Sequence, residues 1–334
     1  MELMPWVLAS ESLGSIHMKI IMSIIVIVIL FILTAGFMLF RMVFDRDVTF
    51  PVGGGDDQAP DPLLEPTGTR LAAYNDVKKQ EYRRNSFQEM KLTSRDGLEL
   101  VADFLKGTNP KETVILVHGY RSDGAGDWCA ISEIYKRRGC YILIVEDRAH
   151  GRSQGRYIGF SELDRFDVQM WCEKIAQLYP TTTIYLHGMS MDGATVLHAA
   201  NMRLPSQVRG IISDCGFNSI IEVTRHLMKT QFHIPYFPIG YVAWMFARMI
   251  AGVSFNKSDG VRSISESHLP LLQIVGSEDR YVPIETVQRI AKSCKIYHDE
   301  MIVDGAGHAA SYMIAEKAYE QKVNEFLDHI RMEN

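Results

Sequence analysis

The chain has 334 residues, 47% hydrophobic and 22% charged, with a formal net charge of −5. That balance is ordinary for a globular protein, and it gives no basic field for nucleic acid, for which no motif is present. Five cysteines (Cys129, Cys140, Cys172, Cys215 and Cys294) are odd in number, widely spaced and free of any C-x-x-C, so neither a disulfide framework nor a zinc site is indicated.

After an N-terminal tail (1–19), Ile20 to Phe40 runs without a charge between Lys19 and Arg41. As a helix it is roughly 30 Å long, the thickness of a bilayer's hydrocarbon. The rival is a cleaved signal peptide, with Thr34-Ala35-Gly36 as the small-residue site. The apolar run continues past that site through Phe40, which favours an uncleaved, single-pass signal anchor. Lys19, Arg41 and Arg46 flank both ends, so charge does not set the orientation. An N-terminal anchor ahead of a soluble domain is expected to leave that domain outside the cytoplasm.

A flexible linker is expected over 41–69, because Pro51 to Thr69 is rich in Gly and Pro. Arg70 to Arg84 reads as a charged helix on the domain edge, with Leu71, Tyr74, Val77 and Tyr82 as its apolar residues. Phe87 to Thr93 and Leu98 to Phe104 flank Asp96-Gly97, which predicts a hairpin. Thr113 to Val117 and Tyr141 to Val145 read as buried strands, with a helix near Trp128 to Arg138 between them. Leu163 to Leu178 reads as a helix.

Thr183 to Leu186 is β-branched and apolar, and Ala194 to Met202 is helical in pattern. Between them lies Gly188-Met189-Ser190-Met191. A serine at a strand-to-helix turn, with Gly two positions before it, is a nucleophile elbow. The turn excludes a side chain at Gly188 and lifts the Ser190 hydroxyl above the sheet. One feature departs from G-x-S-x-G: Asp192 stands where the second Gly belongs, and Gly193 follows one place late. A carboxylate there is expected to oppose a developing oxyanion and slow turnover.

Val208 to Ser213 predicts another strand. Residues 217–255 then break the alternation with aromatics, Met and two prolines, which reads as a helical cap at about 217–260. The alternative, a membrane-contacting hairpin, is disfavoured by Arg248 and by the short apolar runs beside Pro235 and Pro238. Leu271 to Val275 and Lys295 to Ile302 resume the strands, with a helix from Ile284 to Ser293 between them and one from Tyr312 to Ile330 closing the chain. The whole predicts an α/β fold: a mostly parallel, doubly wound sheet opened by an antiparallel hairpin.

Asp279 and His308 each follow a predicted strand, as Ser190 does, in the order Ser, Asp, His. Ser190 is thus the candidate nucleophile, His308 its base and Asp279 the acid that orients the imidazole; Glu278 is the nearest competitor for the acid. The backbone N–H groups of Met191 and Tyr120 are the candidate oxyanion donors. His118, His187, Arg148 and His150 read as residues that tie loops at strand ends.

From Phe87 to the C-terminus the chain resembles the bacterial α/β-hydrolases of the serine-aminopeptidase-like and esterase-like group, many of them membrane-anchored. The resemblance rests on Leu116-Val117-His118-Gly119-Tyr120, Arg148-Ala149-His150-Gly151-Arg152-Ser153, Gly188-Met189-Ser190-Met191, Gly276-Ser277-Glu278-Asp279 and Gly305-Ala306-Gly307-His308. It implies an α/β-hydrolase fold and a Ser-His-Asp hydrolase without a cofactor or metal, and leaves the substrate open. The expected activity is hydrolysis of a small or medium acyl ester. A peptidase or acyltransferase is the enzymatic alternative, with Glu222 as the sole weak candidate for holding a free amine. A silent binding module is the other alternative, supported by Asp192 alone.

Overall fold

The computed structural model describes residues 5–48, 64–254 and 258–332, with side chains from residue 15 onward. Most of the expected linker therefore lies outside the described residues. The first helix, α1 (Pro5–Phe44), is continuous. Between Ile16 and Phe31 its large apolar side chains face outward. The helix does not stop at Phe40, where a linker was expected to begin. Phe40 and Phe44 are buried and stack on each other, and Phe44 also meets Phe160 and Trp244 edge-on. Apolar residues spaced three and four apart thus continue one stripe for another turn, and burial of that stripe prolongs the helix. The charges that follow the apolar run are used internally. Buried Asp45 binds Arg41 at 2.7 Å and Arg156 at 3.1 Å.

Helix α2 (Gly68–Tyr82) lies on the domain edge as expected, with Tyr82 buried against Phe87; Val77 is exposed instead. The hairpin is β1 (Gln88–Thr93) and β2 (Glu99–Leu105), followed by β3 (Asn109–Val117). The single helix expected near Trp128 to Arg138 is two short ones, α3 (Gly124–Trp128) and α4 (Ser132–Arg137). The side chain of Asp123 caps α3 by accepting from the Gly126 N–H, which fixes an earlier start. Then come β4 (Cys140–Glu146), α5 (Asp164–Leu178), β5 (Thr183–Met189), α6 (Met191–Ala199) and β6 (Val208–Asp214).

Two cap helices follow, α7 (Ile220–Thr230) and α8 (Ile239–Ile250). The third, α9 (Gly260–Glu266), buries Ile264 in the cluster beneath the sheet, so it belongs to the main helix layer. The chain closes through β7 (Leu271–Gly276), α10 (Ile284–Ser293), β8 (His298–Val303), α11 (Ser311–Ile314) and α12 (Glu316–Met332).

The eight strands form one sheet in the order β1-β2-β4-β3-β5-β6-β7-β8. The hairpin is antiparallel, β2 pairs antiparallel with β4, and all later neighbours are parallel. Helices cover both faces, which is why β3 to β7 read as continuous apolar runs. One core holds Trp128, Tyr135, Tyr319 and Phe326; the other holds Trp171, Ile175, Val196 and Leu197. A third apolar cluster joins α1, the cap and the elbow through Phe40, Phe44, Phe160, Met191, Phe217 and Ala243.

Candidate active site

The elbow takes its shape from two close approaches. Ser190 sits between β5 and α6 with φ 53° and ψ −111°, a conformation that costs an L-residue on the order of 1–3 kcal/mol and persists only where the surroundings enforce it. The Ser190 N–H donates to the Asp214 carbonyl at 2.8 Å, one such enforcement. A Cβ on Gly188 would lie 1.9 Å from the Asp192 carbonyl, and one on Gly193 would lie 2.8 Å from Gly216 Cα. The tight helix-to-strand approach therefore falls at Gly193, which explains how a larger residue fits at 192.

Ser190 Oγ lies 2.6 Å from His308 Nε2, and His308 Nδ1 lies 2.8 Å from Asp279 Oδ2. The three residues expected from their chain order thus form one hydrogen-bonded line across the rim of the sheet. The other Asp279 oxygen accepts from the N–H groups of Tyr281 and Val282 at 2.9 and 2.8 Å. Glu278 takes no part in the line. Burial opposes protonation of His308, but the Asp279 carboxylate more than offsets it and holds the imidazole above its ordinary pKa. The loop bearing His308 is tied from afar, because the Gly307 N–H donates to Thr67 Oγ1 at 3.1 Å.

The backbone N–H groups of Tyr120 and Met191 have no acceptor among the described residues, whereas their neighbours are held. The Gly119 N–H donates to Asp127 at 2.6 Å, and the Arg121 N–H donates to His150 Nε2 at 3.0 Å. Burial pushes His150 down to about 3, so its ring is neutral and free to accept. His118 contacts the Gly119 carbonyl through Nδ1 and accepts from the Asp147 N–H through Nε2. Arg148 binds Asp96 and Asp167. These three residues tie loops, as expected. His187 does something else: it lies in the core between the hydroxyls of Tyr135 (2.6 Å) and Tyr319 (3.2 Å).

That core network reaches the site by a route the sequence reading missed. Tyr319 donates to Asp214 at 2.8 Å. Burial raises Asp214 to about 7, although Tyr319 and His308 both pull it down. The next residue, Cys215, sits with Sγ 4.0 Å from His308 Nε2. Burial and the nearby Asp214 push its thiol well up, so it is not a competing nucleophile. Asp214 was legible only as the polar end of an apolar strand.

Asp192 does not reach the mouth of the site. It is fully buried, with His118 and Asp147 bringing ligand-type atoms within 4.8 Å of its own. Both nitrogens of His118 are engaged by backbone groups, while both Asp192 oxygens and Asp147 Oδ2 are buried without a hydrogen-bond partner among the described residues. Burial drives both carboxyls well above the usual range; the Asp192 carboxyl raises Asp147 further, whereas the contact with Asp147 draws Asp192 part of the way back. The shift favours the neutral acids, which reduces the charge expected beneath the oxyanion position. Glu222, the weak candidate for an amine site, is bound by Arg289 at 2.5 Å and by Asn218.

Residues 108–265 match the family model described as "Serine aminopeptidase, S33". The protein YqkD of Bacillus subtilis (strain 168) is 23% identical over 255 residues, spanning 73% of this chain and 82% of that protein. A monoacylglycerol lipase of Mycolicibacterium smegmatis is 28% identical over 119 residues, or 35% of this chain and 42% of that protein. Among solved structures, the esterase Pf2001 of Pyrococcus furiosus superposes with a TM-score of 0.61 at 20% identity, covering 75% of this chain and 94% of that one. Est1E of Butyrivibrio proteoclasticus, with ferulic acid bound, superposes at 0.59 and 18% identity, covering 73% and 99%. The likenesses cover the domain that carries the Ser190 elbow, and the structural ones share its fold.

Proposed function

We propose that this chain, which has the α/β-hydrolase fold, is a serine hydrolase of carboxylic esters of the esterase-like group, held at a membrane surface by α1. The observation that carries the reading is the unbroken line Ser190–His308–Asp279, with contacts of 2.6 and 2.8 Å. His308 takes the Ser190 proton as Oγ attacks the acyl carbon, and Asp279 stabilises the imidazolium that results. The N–H groups of Tyr120 and Met191 receive the oxyanion, each contributing about 3 kcal/mol to the transition state. His308 then returns the proton to the leaving alcohol, leaving an acyl-enzyme. A water deprotonated by the same imidazole releases the acid.

Two other readings are weaker. A peptidase that binds a free amine needs an unpaired carboxylate near the acyl site, and Glu222 is already bound by Arg289. The silent binding module rests on a charge at 192, and the burial of Asp192 beside Asp147 weighs against it. The ester-hydrolase names among the relatives favour esters over amides. An N-terminal anchor ahead of the domain supports a position outside the cytoplasm, which protease treatment of intact cells tests.

The decisive experiment uses the full chain in detergent micelles, since α1 is part of the folded unit. A fluorophosphonate probe is expected to label Ser190, and p-nitrophenyl esters of increasing chain length are expected to be cleaved. Ser190→Ala should abolish both; equal rates with and without the hydroxyl end the proposal.

A further inference from the structure

Helix α8 has three faces. At 3.6 residues per turn, Gly240, Ala243 and Ala247 share one face, and they are buried on the domain. Val242 and Phe246 share the next face and meet α1. Gly36 leaves room for Val242, and Phe246 lies against the rings of Phe37 and Phe40, 5.2 and 6.4 Å between centroids. The third face, adjoining the second, carries Tyr241, Met245 and Met249, which are 54%, 41% and 72% exposed. Phe237, one turn before Tyr241, is 72% exposed and contacts its ring. Arg248 flanks this stripe and is exposed.

A row of exposed aromatic and Met side chains beside a helix with outward apolar residues from Ile16 to Phe31 is one continuous apolar surface. Its orientation is fixed. Tyr120 donates its hydroxyl proton to the Val43 carbonyl at 3.0 Å, and Arg121 Nη2 donates to the Met42 and Asp45 carbonyls at 3.0 and 2.9 Å. Arg46 reaches the carbonyls of Gly151, Ser153 and Gly155. The rim of the site is therefore hydrogen-bonded to the last turn of the apolar helix, with no spacer between them.

Resting on the proposed hydrolase function and its membrane anchor, we infer that the stripe Phe237, Tyr241, Met245 and Met249 lies in the interfacial layer of the bilayer that α1 enters. Ser190 is then served by acyl esters resident in that bilayer. Tyr at headgroup depth, Phe and Met deeper, and an Arg reaching back to lipid phosphates are what an interfacial helix presents. Continuity with α1 selects a bilayer over a protein partner as the occupant.

The test uses the full chain in vesicles of phosphatidylethanolamine and phosphatidylglycerol. Met249→Cys and, as a control, Ser206→Cys are labelled with a bimane fluorophore; the five native cysteines are buried. Ser206 is exposed ahead of β6, at the end of the sheet away from the elbow. Nitroxide-bearing lipid is expected to quench the label at 249 about fivefold more than at 206. Equal quenching overturns the inference. So does self-quenching at 249 that rises with protein density and ignores the nitroxide, which marks a second copy as the occupant.

In parallel, the double variant Phe237→Glu, Met249→Glu is expected to cut hydrolysis of a vesicle-embedded acyl ester about tenfold, while cleavage of a water-soluble p-nitrophenyl ester stays within about twofold. Equal loss on both substrates, or none on either, counts against it. If Ser190→Ala were as active as the parent chain, the hydrolase reading would fall, and the quenching would still decide where the stripe lies.

Discussion

Two regions meet at the same rim of the sheet, and they are built by different means. The relay from Ser190 to Asp279 is polar and directional. It depends on short hydrogen bonds and on backbone held at positive φ in Arg121, Ser190, Cys215 and Ala309, each in or next to the site. The seam between α1 and the cap is apolar and broad, made of Phe37, Phe40, Phe44, Trp244 and Phe246. Displacement by a fraction of an ångström disables the first and is tolerated by the second. The comparison teaches that position within the rim comes from hydrogen bonds on fixed backbone, while attachment to it comes from buried area.

Removing the proposed nucleophile separates the two most sharply. Ser190→Ala is expected to lower kcat by about 10⁶-fold, while the melting temperature in detergent stays near that of the parent. A large loss of stability would mean that relay and seam are not separable. Next, Asp279→Asn is expected to cost about 10⁴-fold, because the imidazole loses its orientation. It also moves the acid limb of kcat/KM. As the proposed base His308 acts only when neutral, and its pKa is raised, so the rate is expected to climb with pH above the ordinary imidazole range in the parent. In Asp279→Asn that limb should fall to lower pH; an unmoved limb would show that Asp279 does not set it.

The seam answers to a different probe. Phe44→Ala is expected to lower stability by about 3–5 kcal/mol, read by denaturant titration, with soluble-ester turnover of the folded fraction nearly unchanged. A selective fall in turnover would show that the seam also shapes the relay.

The smallest effect is at the buried acids. Folded Asp147 and Asp192 hold protons more tightly than they would unfolded, so stability is full below about pH 4 and declines as pH rises through their raised values. Asp192→Asn should therefore be more stable than the parent at pH 8 by about 1–2 kcal/mol, with the gap closing toward pH 4. Its ester turnover should change by less than about threefold. A large gain in turnover would restore the view that a carboxylate at 192 opposes the oxyanion.

Much of this was legible in the chain. The hairpin showed in Asp96-Gly97, the parallel strands in unbroken apolar runs, and the order of Ser190, Asp279 and His308 in turns that follow those runs. What escaped was long-range compensation. Arg41 and Arg46 read only as charges flanking an apolar span, because Arg156 and the carbonyls of Gly151 and Ser153, which the Asp45 and Arg46 side chains meet, stand more than a hundred positions away. Thr67 carries no local sign that it holds Gly307. Asp192 looked like a charge at the mouth because its companion, Asp147, lies far away in the chain, just after β4.

The grip of Phe40, Phe44 and Arg46 on the body has a consequence for the proposed membrane-held hydrolase. A protease cutting near Ala35 would shed an enzyme that keeps its last three helical turns as a built-in strap. The freed form would retain its oxyanion loop, lose its hold on the bilayer, and turn over only what diffuses to it through water.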